Sequence, residues 1–494
     1  MSPLFLFITL LLGACAAYTP WRSRSVVTFA AIVPSVLACL IAVGLALPSL
    51  LSGESWVTDW WYIDSFSGLL LVLIALLSVA AVIVSTGYLQ HEQEERIVGL
   101  RQVRFYYASL HLFTLGMMAT VISNNIMVLW LALESTTLST ALLVAFYAKE
   151  GAIEAAWKYI VICSTGIALG LIGMLLSMYG AATGASLSGH SLFLLTSLME
   201  RATDFPPAIM RWAFVFVFIG IGTKVGLVPM HTWLPDAHSK TPSPVSALLS
   251  GILLNVALYA VLRFKFITDT ALGSSAWTNT FFLFFGLLSI ALPAFIILTQ
   301  ENYKRLLAYS SIEHMGIVCF AIGLGPVAAA AALMHMIGHS LAKSLLFFGA
   351  GDILLRWKST KIGNVRGVLR AAPFTGILFL LGLLAILAVP PSPLFMSELL
   401  VVAAGMTVHP VLTLLFLLLI AIVFIGMMRG AFRMLFSQEA PPVAPINHRW
   451  NRTHTVMLIE LACLGAVSLF FMTHEGYQLA VSIAQHFTLS SVHE

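Results

Sequence analysis

Charge is what this chain has least of. Asp, Glu, Lys and Arg make up 9% of its 494 residues, whereas 60% are hydrophobic. Soluble domains carry roughly 25% charged residues, so a mean hydropathy of +0.97 leaves too little polar surface for a water-soluble globule. A cytosolic enzyme, a secreted module and a disordered scaffold are excluded. Cysteine is scarce too: Cys15, Cys39, Cys163, Cys319 and Cys463 lie far apart in apolar stretches, with no CxxC spacing. They read as small buried hydrophobes, and neither an iron–sulfur cluster nor structural zinc is expected. No GxGxxG or GxxxxGK run occurs, so Gly220, Gly222, Gly226, Gly349 and Gly351 read as helix-packing residues. No catalytic residue, cofactor or metal is assigned to this chain. The net charge of +4 is read as loop charge beside membrane spans, with no nucleic-acid partner implied. Leu12-Gly13-Ala14-Cys15 looks like a lipoprotein cleavage site, yet no Lys or Arg precedes the apolar run, so residues 1–19 are expected to remain as a first helix.

Long apolar runs are abundant. A membrane-crossing helix needs about 20 apolar residues. Gly, Pro and charge breaks divide the chain into fourteen candidates: 3–19, 27–50, 66–88, 106–121, 123–147, 156–179, 211–229, 243–264, 278–298, 306–323, 327–354, 372–406, 410–435 and 455–473. The polar interludes 89–105, 181–210 and 436–454 are too short for a separate domain, which predicts one all-α polytopic membrane domain over 1–494. With the N-terminus outside, nineteen Lys and Arg fall on the inner face, Arg449 and Arg452 among them. Four fall outside: Arg201, Arg211, Arg263 and Lys265. That bias predicts an inner-membrane protein with both termini on the outer face.

Two helices are interrupted, the seventh at Pro229 and the twelfth at Pro390-Pro391-Ser392-Pro393. After the first three helices (1–105), the breaks fall in two five-helix units, 106–264 and 278–435, with 455–473 as a last helix. Five crossings reverse direction, so the units would form an inverted repeat, and paired broken helices point to an ion pathway. Simple proline kinks are the alternative.

Ionisable groups inside apolar helices sharpen that choice, because each costs at least about 2.5–3.5 kcal/mol to insert. Glu134 and Lys224 are isolated charges, Glu313 and His314 share the tenth helix, and Glu398 follows the second break. His335, His339 and Lys343 stand at i, i+4 and i+8 and share one helix face. Such groups suit a proton relay, with Glu134 and Lys224 acting as a switch that closes and opens. A static ion pair, hydrogen-bonded core histidines and helix-end charges at Glu313 and His314 are the plainer readings. A metal at His335 and His339 is not expected, since no third ligand is evident.

Gly222-Thr223-Lys224-Val225-Gly226-Leu227-Val228-Pro229-Met230-His231-Thr232-Trp233-Leu234-Pro235-Asp236-Ala237-His238 leads into Pro242-Ser243-Pro244-Val245-Ser246-Ala247. This stretch closely resembles the signature of the antiporter-like subunits shared by respiratory complex I, membrane-bound [NiFe]-hydrogenases and multi-subunit cation/proton antiporters. Lys304-Arg305-Leu306-Leu307-Ala308-Tyr309-Ser310-Ser311 and the 335–343 stretch support the resemblance, which covers roughly 65–435. Ser311 to Gly316 and Leu249 to Asn255 look most like the hydrogenase-4 component F branch. The resemblance implies a proton-translocating, non-redox subunit of an oxidoreductase complex. Glu134 and Lys224 would be its coupling pair, Lys343 with His335 and His339 would belong to its central axis, and Glu398 would be its terminal carrier; His231, Glu313 and His314 are counted with them as proton-pathway residues. It implies membrane subunits as partners, and through them a hydrophilic arm with iron–sulfur clusters and a nickel–iron centre; the ion is H+ or Na+. An antiporter subunit without redox chemistry and a transport-silent spacer are the alternatives. The chain departs from its relatives at Ser250 and Asn255, where many carry Lys or His, and no room is expected for a lateral helix after 473.

Overall fold

The computed structural model describes residues 2–437 and 450–489, most of them in helices. Twelve helices are long and apolar enough to cross a membrane, and three shorter apolar ones accompany them: Leu4–Tyr18, Pro373–Ile386 and Pro393–Val408. The chain is a multi-pass membrane protein. Polar residues at helix starts explain several boundaries, since a side-chain oxygen there satisfies an unpaired backbone N–H. Asp64 accepts from the Ser67 N–H at 2.8 Å to start Ser65–Glu94. Asn125 and Asn302 do the same for Ile126–Val144 and Tyr303–Gly323. The only strands among the described residues form a short hairpin, Trp56–Val57 against Tyr62–Ile63.

Both expected interruptions are present. Helix Pro207–Val225 ends at Gly226, whose φ of +84° is the left-handed geometry that glycine tolerates. The chain resumes as helix Trp233–Lys240. The Trp233 indole N–H bonds the Thr223 carbonyl at 2.9 Å, and Ser289 Oγ accepts from the Val228 N–H at 2.9 Å. At the second break, Ser392 caps Pro393–Val408, and Ser468 donates to the Pro391 carbonyl at 2.6 Å. Neighbouring side chains thus satisfy the backbone groups that each break frees, as apolar surroundings require. Each break carries a cis peptide bond, at Val228–Pro229 and at Pro390–Pro391.

Packing around the first break depends on small residues. A Cβ on Gly220 would run into the backbone of Gly166 and Gly170, so helices 150–184 and 207–225 touch along their main chains. Burial peaks in three helices, Ser243–Leu272, Tyr303–Gly323 and Ala328–Trp357, whose apolar windows are 100% buried. These three also carry much of the polar inventory.

Several expectations need correction. Arg263 and Lys265 are not outer-loop charges: both lie inside helix 243–272, buried, on Asp64 at 2.6 Å and Asp269 at 2.5 Å. Lys304 is likewise buried, because its ammonium caps the Thr241 carbonyl at 2.6 Å. Cys15 and Cys463 are exposed, whereas Cys163 and Cys319 are buried as expected. The interlude 181–210 folds into short helical turns, including Leu195–Glu200. An 11-residue helix, His474–Ala484, follows residue 473. Arg449 lies outside the described residues, and so does most of the 436–454 interlude.

Candidate functional site

Buried charges fall into two chemical classes here, and the contrast locates the site. Arg263 and Asp64 are fully buried and paired with each other, and of their polar atoms only the Arg263 Nε lacks a hydrogen-bond partner. The guanidinium also donates to Ser67 Oγ at 3.0 Å and lies over the rings of Tyr259, Tyr62 and Phe66 at 4.7, 5.1 and 5.5 Å. Asp64 further accepts from Tyr62 at 3.0 Å and faces His486 Nδ1 at 3.1 Å. Burial alone would raise its pKa, but Arg263 overrides burial and holds the carboxyl well below the usual range. A carboxylate held by Arg263, Tyr62, the Ser67 N–H and His486, with its own buried cation against it, is structural cement.

The other class is under-bonded. Lys224, with no exposed surface, donates to the Leu133 carbonyl at 2.9 Å and to Thr137 Oγ1 at 2.5 Å, with no carboxylate within 4.0 Å among the described residues. Glu134, next in sequence to Leu133, is half-buried. Its Oε1 accepts from Ser164 at 2.6 Å and its Oε2 has no partner. The expected coupling pair is therefore adjacent but open: each member is held by neutral groups instead of by the other. A static ion pair at this position does not match the geometry. His231 sits in the turn of the first break, with Nδ1 unpartnered.

The second cluster surrounds helix Pro326–Trp357. Lys343 is buried and donates to the Leu307 carbonyl at 3.0 Å. One turn back, His339 Nε2 meets the Ser250 carbonyl at 3.2 Å, and its Nδ1 is unpartnered. A further turn back, His335 Nε2 lies 2.9 Å from His314 Nδ1, and His335 Nδ1 lies 2.9 Å from Ser397 Oγ. Glu313 Oε2 approaches His314 Nε2 at 3.4 Å without hydrogen-bond alignment. Glu313 and His314 are mid-helix and buried, so the helix-end reading of them fails. Glu398 is half-buried, and it closes the cluster: one ligand-type atom each from His314, His335 and Glu398 lie within 4.8 Å of one another. A cavity of about 410 Å³ reaches Glu313, His314 and Glu398 from the exposed side chains Leu399 and Phe424.

The two positions where the chain departs from its relatives are built into this cluster. Helix 243–272 has a π-helical turn at Leu249–Leu253, a distortion frequent at functional sites. Ser250 Oγ meets Ser311 Oγ at 2.6 Å, and the Asn255 amide donates to Ser340 Oγ at 2.9 Å, while its Oδ1 is buried without a partner.

Sequence reasoning missed three members of the under-bonded class. His238 is fully buried, stacks on Phe347 at 5.0 Å, and has both ring nitrogens free of partners. Phe347 is one turn beyond Lys343, so His238 stands beside that helix on the segment that resumes after the first break. Glu460, in helix Arg452–Phe471, accepts from Ser344 at 2.7 Å and leaves Oε2 bare. Glu92 accepts from Tyr147 at 2.6 Å with Oε2 bare. His238 was visible in the quoted signature, and Glu460 is a lone carboxylate in an apolar run, the criterion that selected Glu134.

The family described as NADH:quinone oxidoreductase/Mrp antiporter, transmembrane, matches residues 123–425, which hold most of these clusters. The chain is 38% identical to a "Hydrogenase-4 component F homolog" of Methylacidiphilum infernorum over 72% of this chain and 74% of that one. It is 29% identical to "NADH-quinone oxidoreductase subunit N" of Desulforudis audaxviator over 94% of each. Its fold matches a chain in the structure of the membrane-bound sulfane sulfur reductase, an archaeal respiratory membrane complex. The TM-score is 0.85 at 21% identity, and the match covers 98% of this chain and 97% of that chain. The chain belongs to the NADH:quinone oxidoreductase/Mrp antiporter family of membrane subunits.

Proposed function

We propose that this chain is a proton-translocating, non-redox subunit of a membrane-bound hydrogenase or NADH-dehydrogenase-like complex. The carrying observation is the run of ionisable groups in and beside the most buried helices: Lys343 on a single carbonyl, His339 and Glu313 each with a bare atom, the His314–His335 pair, and the half-buried Glu398. A proton carrier must exchange partners, and a side chain held by one carbonyl can do so at far lower cost than one in a closed network. Lys224 with Glu134 forms the input switch, and the described arrangement is its open state. His238 carries the proton between the first break and Lys343, with water filling the gaps. Asn255 cannot store a proton, so its bare Oδ1 orients water at the middle step. Glu398 is the exit.

The proposal includes two inverted five-helix units, 106–264 and 278–435. Counting helices 373–386 and 393–408 as one broken crossing gives it fourteen crossings among the described residues. The chain itself holds no redox centre in this proposal and takes its driving force from partners, because an ion cannot be pumped without a differential energy input. Those partners are membrane subunits and, through them, a hydrophilic arm with iron–sulfur clusters and a nickel–iron centre. The location is a prokaryotic inner membrane with both termini outside. A cation/proton antiporter subunit is the second reading, favoured by the antiporter members of the family. Purifying the intact complex separates the two: co-purifying nickel and iron–sulfur subunits support the proposal, and small membrane subunits alone overturn it in favour of the antiporter.

A further inference from the structure

His314, His335 and Glu398 offer two imidazole nitrogens and a carboxylate oxygen within 4.8 Å of one another. We infer that these three side chains form a binding site for a divalent transition-metal ion of the zinc class. Two histidines and one carboxylate, with a fourth position left to water, are an established zinc donor set. Three features beyond proximity argue for it.

The first is the state of the ring nitrogens. Ser397 Oγ donates its proton to the Leu394 carbonyl at 2.8 Å, so it must accept from His335 Nδ1. That assignment, made from the hydrogen-bond network, puts the His335 proton on Nδ1 and leaves Nε2 bare toward the cluster. Without an ion, His314 Nδ1 then carries the proton of the 2.9 Å bond to His335 Nε2. With an ion, that proton moves to His314 Nε2; the unpartnered Glu313 Oε2, 3.4 Å away and out of hydrogen-bond alignment here, would have to turn to accept it. His335 is thus already oriented by a second partner, the arrangement that fixes tautomer and ring direction in zinc sites.

Spacing is the second feature. Zinc–nitrogen bonds of about 2.0–2.1 Å at a tetrahedral angle separate two nitrogens by about 3.3 Å. The facing nitrogens at 2.9 Å need to part by only a few tenths of an ångström. The third is room. The cavity of about 410 Å³ touches His314 and Glu398, so a water ligand has space, and it extends to the exposed rim at Leu399 and Phe424. Imidazole donors favour zinc, nickel or copper over magnesium and calcium, which prefer oxygen. Occupancy would also immobilise three carriers and block proton flow; that consequence rests on the proposed function, whereas binding does not.

The test uses the full-length chain, purified in detergent, stripped with a chelator and titrated with Zn2+ alone or Mg2+ alone. The expected result is one Zn2+ per chain, with an X-ray absorption shell of nitrogen and oxygen at about 2.0 Å and no sulfur. His335→Gln and Glu398→Gln are each expected to weaken binding at least tenfold, and Ser397→Ala by about 10- to 100-fold. His190→Gln, a change at an exposed histidine, should leave it unaltered. Zinc-free melting curves check that each variant is folded, and Ser397→Ala keeps both ring nitrogens if a ligand variant does not fold. No binding to the wild type, equal binding by wild type and folded ligand variants, or a sulfur shell would overturn the site. Zinc bound as expected without loss of proton flux upholds the site and defeats the relay.

Discussion

Replacing Asp64 with leucine should unfold this protein more readily than any change in the relay, and the size of the effect follows from the partners of Arg263. The guanidinium has no exposed surface and one carboxylate partner, at 2.6 Å. Removing one member of such a pair costs about 3–5 kcal/mol, because the other charge stays buried and unpaired. That is roughly a 150- to 5,000-fold change in the folding equilibrium. Arg263→Met alone should cost less than Asp64→Leu, since Asp64 retains Tyr62, the Ser67 N–H and His486. The double variant Asp64→Leu/Arg263→Met is the informative one. It leaves no orphaned charge, so its remaining cost is chiefly the lost helix cap, typically about 1 kcal/mol. Equilibrium unfolding in detergent micelles measures all three, and the double variant should be more stable than Asp64→Leu. Additive costs would refute the assignment of this pair to structural cement. Acid sensitivity follows with a definite sign. The folded pKa of Asp64 is depressed, so its stabilisation is complete above the ordinary carboxylate value near 4 and is lost only as pH falls into strong acid.

Three further outcomes are expected. Glu134→Gln and Lys224→Met should each abolish proton transfer in reconstituted vesicles, with the double variant little worse than either; fully additive losses would count against a single switch. Glu460→Gln keeps an acceptor for Ser344 and preserves the fold, but it removes a buried titratable group bonded to the residue after Lys343, so flux should fall; an unchanged rate would move Glu460 to a structural role. Gly220→Val forces a side chain into the backbone of Gly166 and Gly170 and should cost about 1–3 kcal/mol or more, read as a lower melting temperature; a wild-type melting curve would contradict the close approach.

Hydropathy and proline made the membrane helices and both breaks legible, because a crossing helix must be apolar over its whole length and a broken one needs a residue that cannot continue it. Ionisable residues in apolar runs located Glu134, Lys224, Glu313, His314, Lys343 and Glu398. Partner choice was not legible. Nothing in the sequence says that Lys224 turns to Leu133 and Thr137 instead of to Glu134, because which helix faces approach depends on packing such as that at Gly220. The same limit misplaced Arg263. At the end of an apolar run read as 243–264 it looks like a loop cation, and only the fold brings Asp64, nearly two hundred residues away, against it. His314 and His335 come from different helices, so neither their facing nitrogens nor the third ligand-type group at Glu398 could be read from i, i+4 spacing.

Whether buried groups with few partners move protons is decided at Lys343. It is fully buried, held by a single carbonyl, and stands one turn beyond His339 on the helix that carries His335 and His339. The measurement is proton flux in the reconstituted complex with Lys343→Ala, with assembly checked on the same sample. The account predicts an assembled complex that no longer translocates protons; an assembled complex that moves them at the wild-type rate would contradict it.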